Sequence, residues 1–348
     1  MSENIPQTMR AIGQDVLGGP EVLTEIQRPV PRPGPSEILV RVRATALNPT
    51  DWGHRRRPGL FLPPPPFVLG WDVSGEVVAV GVGVTLFQPG DEVFGMLPYP
   101  HGHGAAAEYV TGPTRAFARK PGNLDHIQAA AIPLAALTAW QSLVDTAKVQ
   151  AGQRVLIHAA AGGVGHFAVQ IAKSLGAYVI GTASSANHEF LRDLGADEVI
   201  DYHTVDVHET VRDVDVILDP IDADHAIKSM KSLRPNGILV SLRALGAEIL
   251  VSAAAERGVR AALLLVEADH AGMTALAELA ESGALRPAIA GTFPLADAAK
   301  AHALGETRPH RGKTRPHRRL NRILLRRVLW VIPTCGVVLH LATVLWGA

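Results

Sequence analysis

The sequence predicts an α/β protein, with a β-rich N-terminal region followed by a doubly wound parallel sheet. Three observations predict it. From Gln153 onward, short apolar runs alternate with amphipathic segments, the pattern of strands and helices in an open parallel sheet. Residues 10–125 instead carry short Val-rich runs broken by Gly and Pro, which reads as strands joined by tight turns. Apolar residues make up 47% of the 348, carried by Ala, Val and Leu with only 5% aromatics, a composition suited to a sheet covered by helices. A chain this long buries an ample core, and its apolar content excludes disorder over most of it. The single Cys335 excludes a disulfide framework and a Cys-based zinc lobe. No apolar run follows Met1, so no secretory signal is expected.

In chain order, Glu37–Ala44, Val73–Val80 and Asp91–Phe94 read as strands, the last one after the turn pair Pro89-Gly90. Pro63–Pro66 is a stiff loop, since four prolines fit neither helix nor central strand. Leu124–Val149 changes to an Ala/Leu-rich helical texture. Arg154–Ala160, Ala177–Ser184, Glu198–Tyr202, Val214–Pro220 and Gly237–Leu242 are the expected parallel strands. Val164–Leu175 and Ala186–Leu194 are expected helices between them.

The strand at Arg154 runs into Ala160-Ala161-Gly162-Gly163-Val164-Gly165 and then a helix. This is the pattern G-x-G-x-x-G with Ala160 in the first glycine's place. Small residues let the backbone approach a pyrophosphate, and the helix N-terminus offers free N–H groups and a positive dipole end. Ala160, Gly162, Gly163, Val164 and Gly165 are therefore expected to contact a dinucleotide. An acid about 20 residues on would select NAD through the ribose hydroxyls. Nineteen residues after Gly165 stands Ser184, followed by Ser185, and the first acid is Glu189. Two hydroxyls suit a 2′-phosphate, so NADP(H) is the expected cofactor. His188 and Arg192, the nearest basic groups, read as solvated helix residues.

Five further stretches carry a family resemblance: Leu47-Asn48-Pro49-Thr50-Asp51-Trp52, Leu69-Gly70-Trp71-Asp72-Val73-Ser74-Gly75, Gly90-Asp91-Glu92-Val93-Phe94, Pro133-Leu134-Ala135-Ala136-Leu137-Thr138-Ala139-Trp140, and the glycine-rich loop. In this order they resemble the medium-chain dehydrogenase/reductase superfamily, in its zinc-independent quinone oxidoreductase and enoyl reductase branch. The resemblance implies a GroES-like catalytic domain over 1–125, to which 263–313 returns. It implies a Rossmann domain over 126–262, with the active site in the cleft between them. It further implies a cytoplasmic homodimer, paired through the edge of the Rossmann sheet, that reduces quinones or α,β-unsaturated carbonyls by hydride transfer. A catalytically silent NADPH-binding sensor is the alternative. No nucleophile–base pair supports a hydrolase.

The resemblance places Asn48 and Asp51 near the nicotinamide end. A turn residue and a helix N-cap are the plainer readings of the two. Tyr109 is either a phenolic proton donor or a core tyrosine. Thr138 is implied to reach the cofactor phosphates, Tyr202 to flank the adenosine phosphate, and Leu242 completes the cofactor set. Zinc-dependent members carry a Cys at the place of Asn48 and Gly-His-Glu at Gly70-Trp71-Asp72. His54, His101 and His103 form no spaced ligand set. No metal is therefore expected.

The C-terminus departs from the family. From Glu306 onward there are nine Lys/Arg and one acid, leaving 24 basic and 32 acidic side chains before it, a net of −8. After Gly312-Lys313 the family's last strand is expected to be absent. Val328–Ala348 then runs 21 residues without a charge, flanked by a basic cluster and by Trp330 and Trp346. As a helix it would cross a bilayer. A membrane anchor, a helix packed on the body and a degenerate end are the three readings. The basic segment 308–327 also suits an anionic membrane surface, while nucleic acid is not the expected partner.

Overall fold

The computed structural model describes residues 5–58, 62–102, 104–243, 247–307, 329–333 and 338–342. The N-terminal region builds two antiparallel sheets. Its elements are β1 (Thr8–Gln14), β2 (Thr24–Pro29), β3 (Glu37–Leu47), the helix α1 (Pro49–Arg56), β4 (Phe67–Val68), β5 (Asp72–Val80), β6 (Glu92–Met96), β7 (Tyr109–Pro113) and β8 (Phe117–Arg119). β1 pairs with β2 and β4, and β3 pairs with β5 and β7. β6 then joins β5 to β8. The alternation expected of half-buried strands is weak in β3, because most of it is buried on both faces.

Two helices, α2 (His126–Ala130) and α3 (Pro133–Trp140), lead into a π-helical stretch over Gln141–Thr146. Strands and helices then alternate. They are β9 (Arg154–Ile157), α4 (Gly163–Ser174), β10 (Tyr178–Thr182), α5 (His188–Asp193), β11 (Glu198–Ile200), α6 (Val207–Thr210), β12 (Val214–Asp219), α7 (Ala223–Ser229), β13 (Leu233–Ser241), α8 (Ala247–Glu256) and β14 (Arg260–Leu263). All six strands are parallel, in the order β11-β10-β9-β12-β13-β14. The order reverses beside β9, and that switch point is where open α/β sheets bind ligands. The strand at 198 and the helices at 164 and 186 lie where the alternation predicts, within a few residues. The strand at 154 ends three residues earlier than expected, because Ala159 takes a positive φ of 48° and turns the chain out of the sheet.

After β14 the chain returns to the N-terminal sheets through α9 (His270–Glu281) and α10 (Ala298–Gly305). His270 Nδ1 lies 2.7 Å from Phe117 O, and Asn123 Nδ2 donates to Ala280 O at 2.9 Å. One apolar core runs through both sheet systems, from Trp71, Phe94 and Phe117 through Leu137 to Val155 and Phe167.

The C-terminus corrects two expectations. Among the described residues of the tail no helix is formed, and a last strand is present. β15 (Leu329–Pro333) and β16 (Val338–Ala342) make an antiparallel hairpin, and β16 pairs parallel with β3, Leu339 opposite Thr45 and Leu341 opposite Leu47. The physical reason is local and long-range together. Val and Ile favour strand, and Pro333 cannot sit inside a helix. β3 meanwhile offers an edge beyond β7 whose N–H and C=O groups need partners. Among the described residues no helix is long and apolar enough to cross a membrane. The basic segment 308–327, like His103 and Cys335, lies outside the described residues.

Candidate functional site

The glycine-rich loop leaves β9 at His158, whose N–H donates to Leu218 O at 3.0 Å. Ala160 N–H donates to Thr182 O at 2.9 Å, tying the loop to the end of β10. Gly162 caps α4 in extended geometry. Gly163, Val164 and Gly165 then occupy the first helical turn, where N–H groups lack an intrahelical acceptor. A Cβ on Gly165 would meet Ala159 O at 2.4 Å and Ala160 Cα at 2.7 Å. Only glycine allows this helix to press so closely on the strand end. The cradle thus fits a pyrophosphate by its free donors and its lack of side chains.

Ser184 and Ser185 follow the carboxyl end of β10 and Tyr202 that of its neighbour β11, while Leu242 follows β13, across β9 and β12 in the same sheet. Ser184 Oγ accepts from Asn187 Nδ2 at 3.1 Å, and Leu242 N–H donates to Asp219 O at 3.0 Å. Tyr202 is half-buried against the cluster that holds Ile200 and Val207. Ser185 N–H donates to Asp201 Oδ2 at 3.0 Å. Spacing did not reveal this carboxylate, because it comes from the next strand. Its other oxygen accepts from His203 N–H, and these backbone bonds hold it below the usual carboxylate range. Thr138 sits on α3, where its Oγ1 donates to Leu134 O at 2.7 Å.

The second group is buried at the start of α1. Asn48 is the N-cap residue, and Asp51 Oδ2 accepts from Asn48 N–H at 2.7 Å, half of a capping box. Asn48 Nδ2 donates to Asp72 Oδ2 at 2.6 Å, and Asp72 Oδ1 accepts from Leu134 N–H at 2.6 Å. Asn48, Asp51 and Asp72 are almost wholly enclosed. Burial pushes Asp51 up to about 8 and Asp72 up to about 7, against the N–H bonds that favour their ionised forms. Asp51 also feels the charge of Asp72.

The rim of this group was not legible in the sequence. Thr50 Oγ1 lies 3.0 Å from His54 Nδ1 and 3.1 Å from Tyr99 OH. Trp71 closes the rim, its ring centroid 5.3 Å from Tyr99 and 5.5 Å from His54. All three polar residues are half-buried. Tyr99 comes from a Pro-flanked turn after β6, a segment with no periodic signal. Tyr109 sits elsewhere on the N-terminal sheet, opposite Arg41 and packed against the cluster of Met9, Ala11 and Leu47.

A zinc ion does not fit where zinc-dependent members of such folds hold one. The amide of Asn48 is bonded directly to Asp72, and the indole of Trp71 replaces an imidazole. An amide N–H and an indole N–H are donors, not metal ligands.

Comparison with known proteins agrees with this architecture. The alcohol dehydrogenase GroES-like domain matches residues 34–122, and a zinc-binding dehydrogenase model matches 194–314. An Arabidopsis thaliana chloroplast envelope quinone oxidoreductase homolog is 42% identical over 196 residues, 54% of this chain and 59% of that protein. The chain thus spans less than two thirds of that relative. An A. thaliana chloroplastic NADPH-dependent alkenal/one oxidoreductase is 35% identical over 323 residues, covering 89% of this chain and 80% of the relative. The solved structure of the quinone oxidoreductase from Coxiella burnetii aligns with a TM-score of 0.81 at 34% identity, covering 96% of this chain and 99% of that one. The chain belongs to the medium-chain dehydrogenase/reductase superfamily, in its quinone oxidoreductase-like branch of oxidoreductases.

Proposed function

We propose that this protein is an NADPH-dependent reductase of quinones or α,β-unsaturated carbonyls, working without a catalytic metal. The observation that carries the reading is the joint presence of the phosphate cradle at 160–165 and the Asn48–Asp72 hydrogen bond at the usual zinc position. The first supplies a dinucleotide site; the second leaves polarisation of the substrate to hydrogen-bond donors.

Ala160 and Gly162 to Gly165 hold the pyrophosphate, and Ser184 and Ser185 receive the 2′-phosphate. When bound, the reduced nicotinamide supplies a hydride. The substrate then needs charge stabilisation at its carbonyl oxygen and a proton, at the α-carbon of an enone or at oxygen of a quinone. Asn48 and Asp51 hold the start of α1 rigid and present Thr50 and His54. The Tyr99–Thr50–His54 hydrogen-bond chain delivers the proton. Asn48 Nδ2 commits one of its two protons to Asp72 and has a second N–H to donate.

The test is oxidation of NADPH, and of NADH in parallel, by the purified protein with a panel of quinones and enones. Acceptor-dependent loss of NADPH is expected. Binding of NADPH without turnover on any acceptor would overturn the reductase reading in favour of a sensor. Ser184→Asp, which sets a carboxylate against the 2′-phosphate, is expected to raise the KM for NADPH at least tenfold while changing that for NADH little. An equal effect on both cofactors would remove Ser184 from the selectivity site.

A further inference from the structure

A second polar cluster lies beneath the glycine-rich loop and takes no part in the chemistry above. We propose that it is a divalent transition-metal site of the zinc class, built from His158 Nε2, Asp219 Oδ2 and His225 Nδ1, with His208 Nδ1 drawn in as the fourth ligand. The four residues come from the ends of β9 and β12 and from α7 and α6. One donor atom from each of His158, Asp219 and His225 lies within 4.8 Å of the others.

The centre is marked by Ser229 Oγ. It lies 3.0 Å from His158 Nε2, 3.4 Å from both Asp219 Oδ2 and His225 Nδ1, and 3.5 Å from His208 Nδ1. Three of these donors, from His158, Asp219 and His225, lie close enough together to share one ion, and His208 stands at the edge of the group. Zinc bonds of about 2.1 Å in a tetrahedron set the donors about 3.4 Å apart. Asp219 Oδ2 and His225 Nδ1, now 2.7 Å apart, need only open slightly. Turning the Ser229 hydroxyl toward the carbonyl of His225, four residues back on α7, clears the middle.

The outer contacts aim the ligands. His158 Nδ1 lies 3.4 Å from Thr182 Oγ1, which leaves Nε2 facing inward. Asp219 Oδ1 accepts from Ile221 N–H at 2.8 Å, which leaves Oδ2 facing inward. Such partners orient the ligands of metal sites. His158 and Asp219 are buried, and His208 and His225 are half-buried on the side toward solvent. A set of three imidazoles and one carboxylate suits zinc better than magnesium or calcium, which take all-oxygen shells. The bound ion would tie α6 and α7 to the strand ends directly under Ala159 and Ala160.

The full-length protein, stripped with a chelator and dialysed, is titrated with Zn2+ and with Co2+. One tightly held Zn2+ per chain is expected, with an upward Tm shift of roughly 5 °C at hundredfold excess over Kd. Co2+ is expected to give the strong visible absorption of a four-coordinate site. His225→Asn keeps a hydrogen bond for Asp219 while removing a ligand, and His208→Ala changes only a half-buried side chain. Both are expected to weaken Zn2+ binding at least tenfold, with NADPH affinity as the check that each has folded. Wild-type protein that binds NADPH but takes up no zinc would overturn the site. Zinc bound equally by wild type and by both variants would also overturn it, and would place the ion on other histidines such as His310 and His317.

Discussion

Asp51 and Asp72 are two carboxyl groups enclosed within one helix start, bridged by Asn48. Their folded pKa values, about 8 and about 7, stand above the ordinary carboxylate value of 3.8. Between pH 4 and 7 the folded protein therefore holds protons that the unfolded chain has released. Stability falls as pH rises through that window and levels off above the folded pKa values. Chemical denaturation at pH 5 and pH 8 is expected to give the higher midpoint at pH 5. Asp51→Asn, neutral at every pH and able to accept the same bond from Asn48 N–H, is expected to lose much of this slope. An unchanged slope would show that Asp51 is ionised in its buried site. The sequence alone reads Asn48 and Asp51 as turn and cap residues, and in local geometry they are that. Their bond to Asp72 spans 24 residues of chain, so no local pattern announces it.

Between elements, α1 is locked to α10 by a buried cation. Arg55 is fully buried; its Nη1 lies 2.9 Å from His302 Nδ1, and its Nη2 donates to Glu306. Arg56, half-exposed, donates to the other oxygen of Glu306 at 2.6 Å. Removing Glu306 would strand the Arg55 charge in a site where His302, lowered by burial to about 3, offers no negative partner. Glu306→Ala is expected to cost about 3–5 kcal/mol, as for other broken buried pairs. Arg56→Ala is expected to cost less than about 1 kcal/mol, as for exposed pairs. Equilibrium unfolding of the two variants measures the difference. Equal losses would mean that water reaches Arg55. This contact also holds α1 in place beneath Thr50 and His54.

At the scale of the molecule, the C-terminal hairpin joins the end of the chain to the sheet that carries Asn48. Thr45, Ala46 and Leu47 of β3 pair with Leu339, His340 and Leu341, immediately before the site. A chain ending at Thr307 would leave that stretch of β3 without ladder partners and expose an edge that invites association. It is expected to melt at least about 4 °C lower than the full chain, and to self-associate in size-exclusion chromatography. An unchanged Tm would mean that the hairpin contributes nothing to the sheet.

The sequence by itself determined what depends on neighbours in the chain. The alternation after Gln153 carried the parallel sheet, and small residues between strand and helix carried the cradle at 160–165. Residue types at positions 48, 71 and 72 carried the replacement of a thiolate and an imidazole by an amide and an indole. These are short-range signals, because periodicity and backbone clearance act over a few residues. The tertiary structure alone decided the rest. It set Tyr99 against Thr50, Asp201 against Ser185, and His158 with Asp219 and His225 around one point. It also placed two strands, Leu329–Pro333 and Val338–Ala342, within an apolar stretch long enough for a membrane helix. The reason is the same in each case: burial and pairing depend on what the remote chain supplies, and Thr45 of β3 lies 294 residues before Leu339, the residue it pairs with.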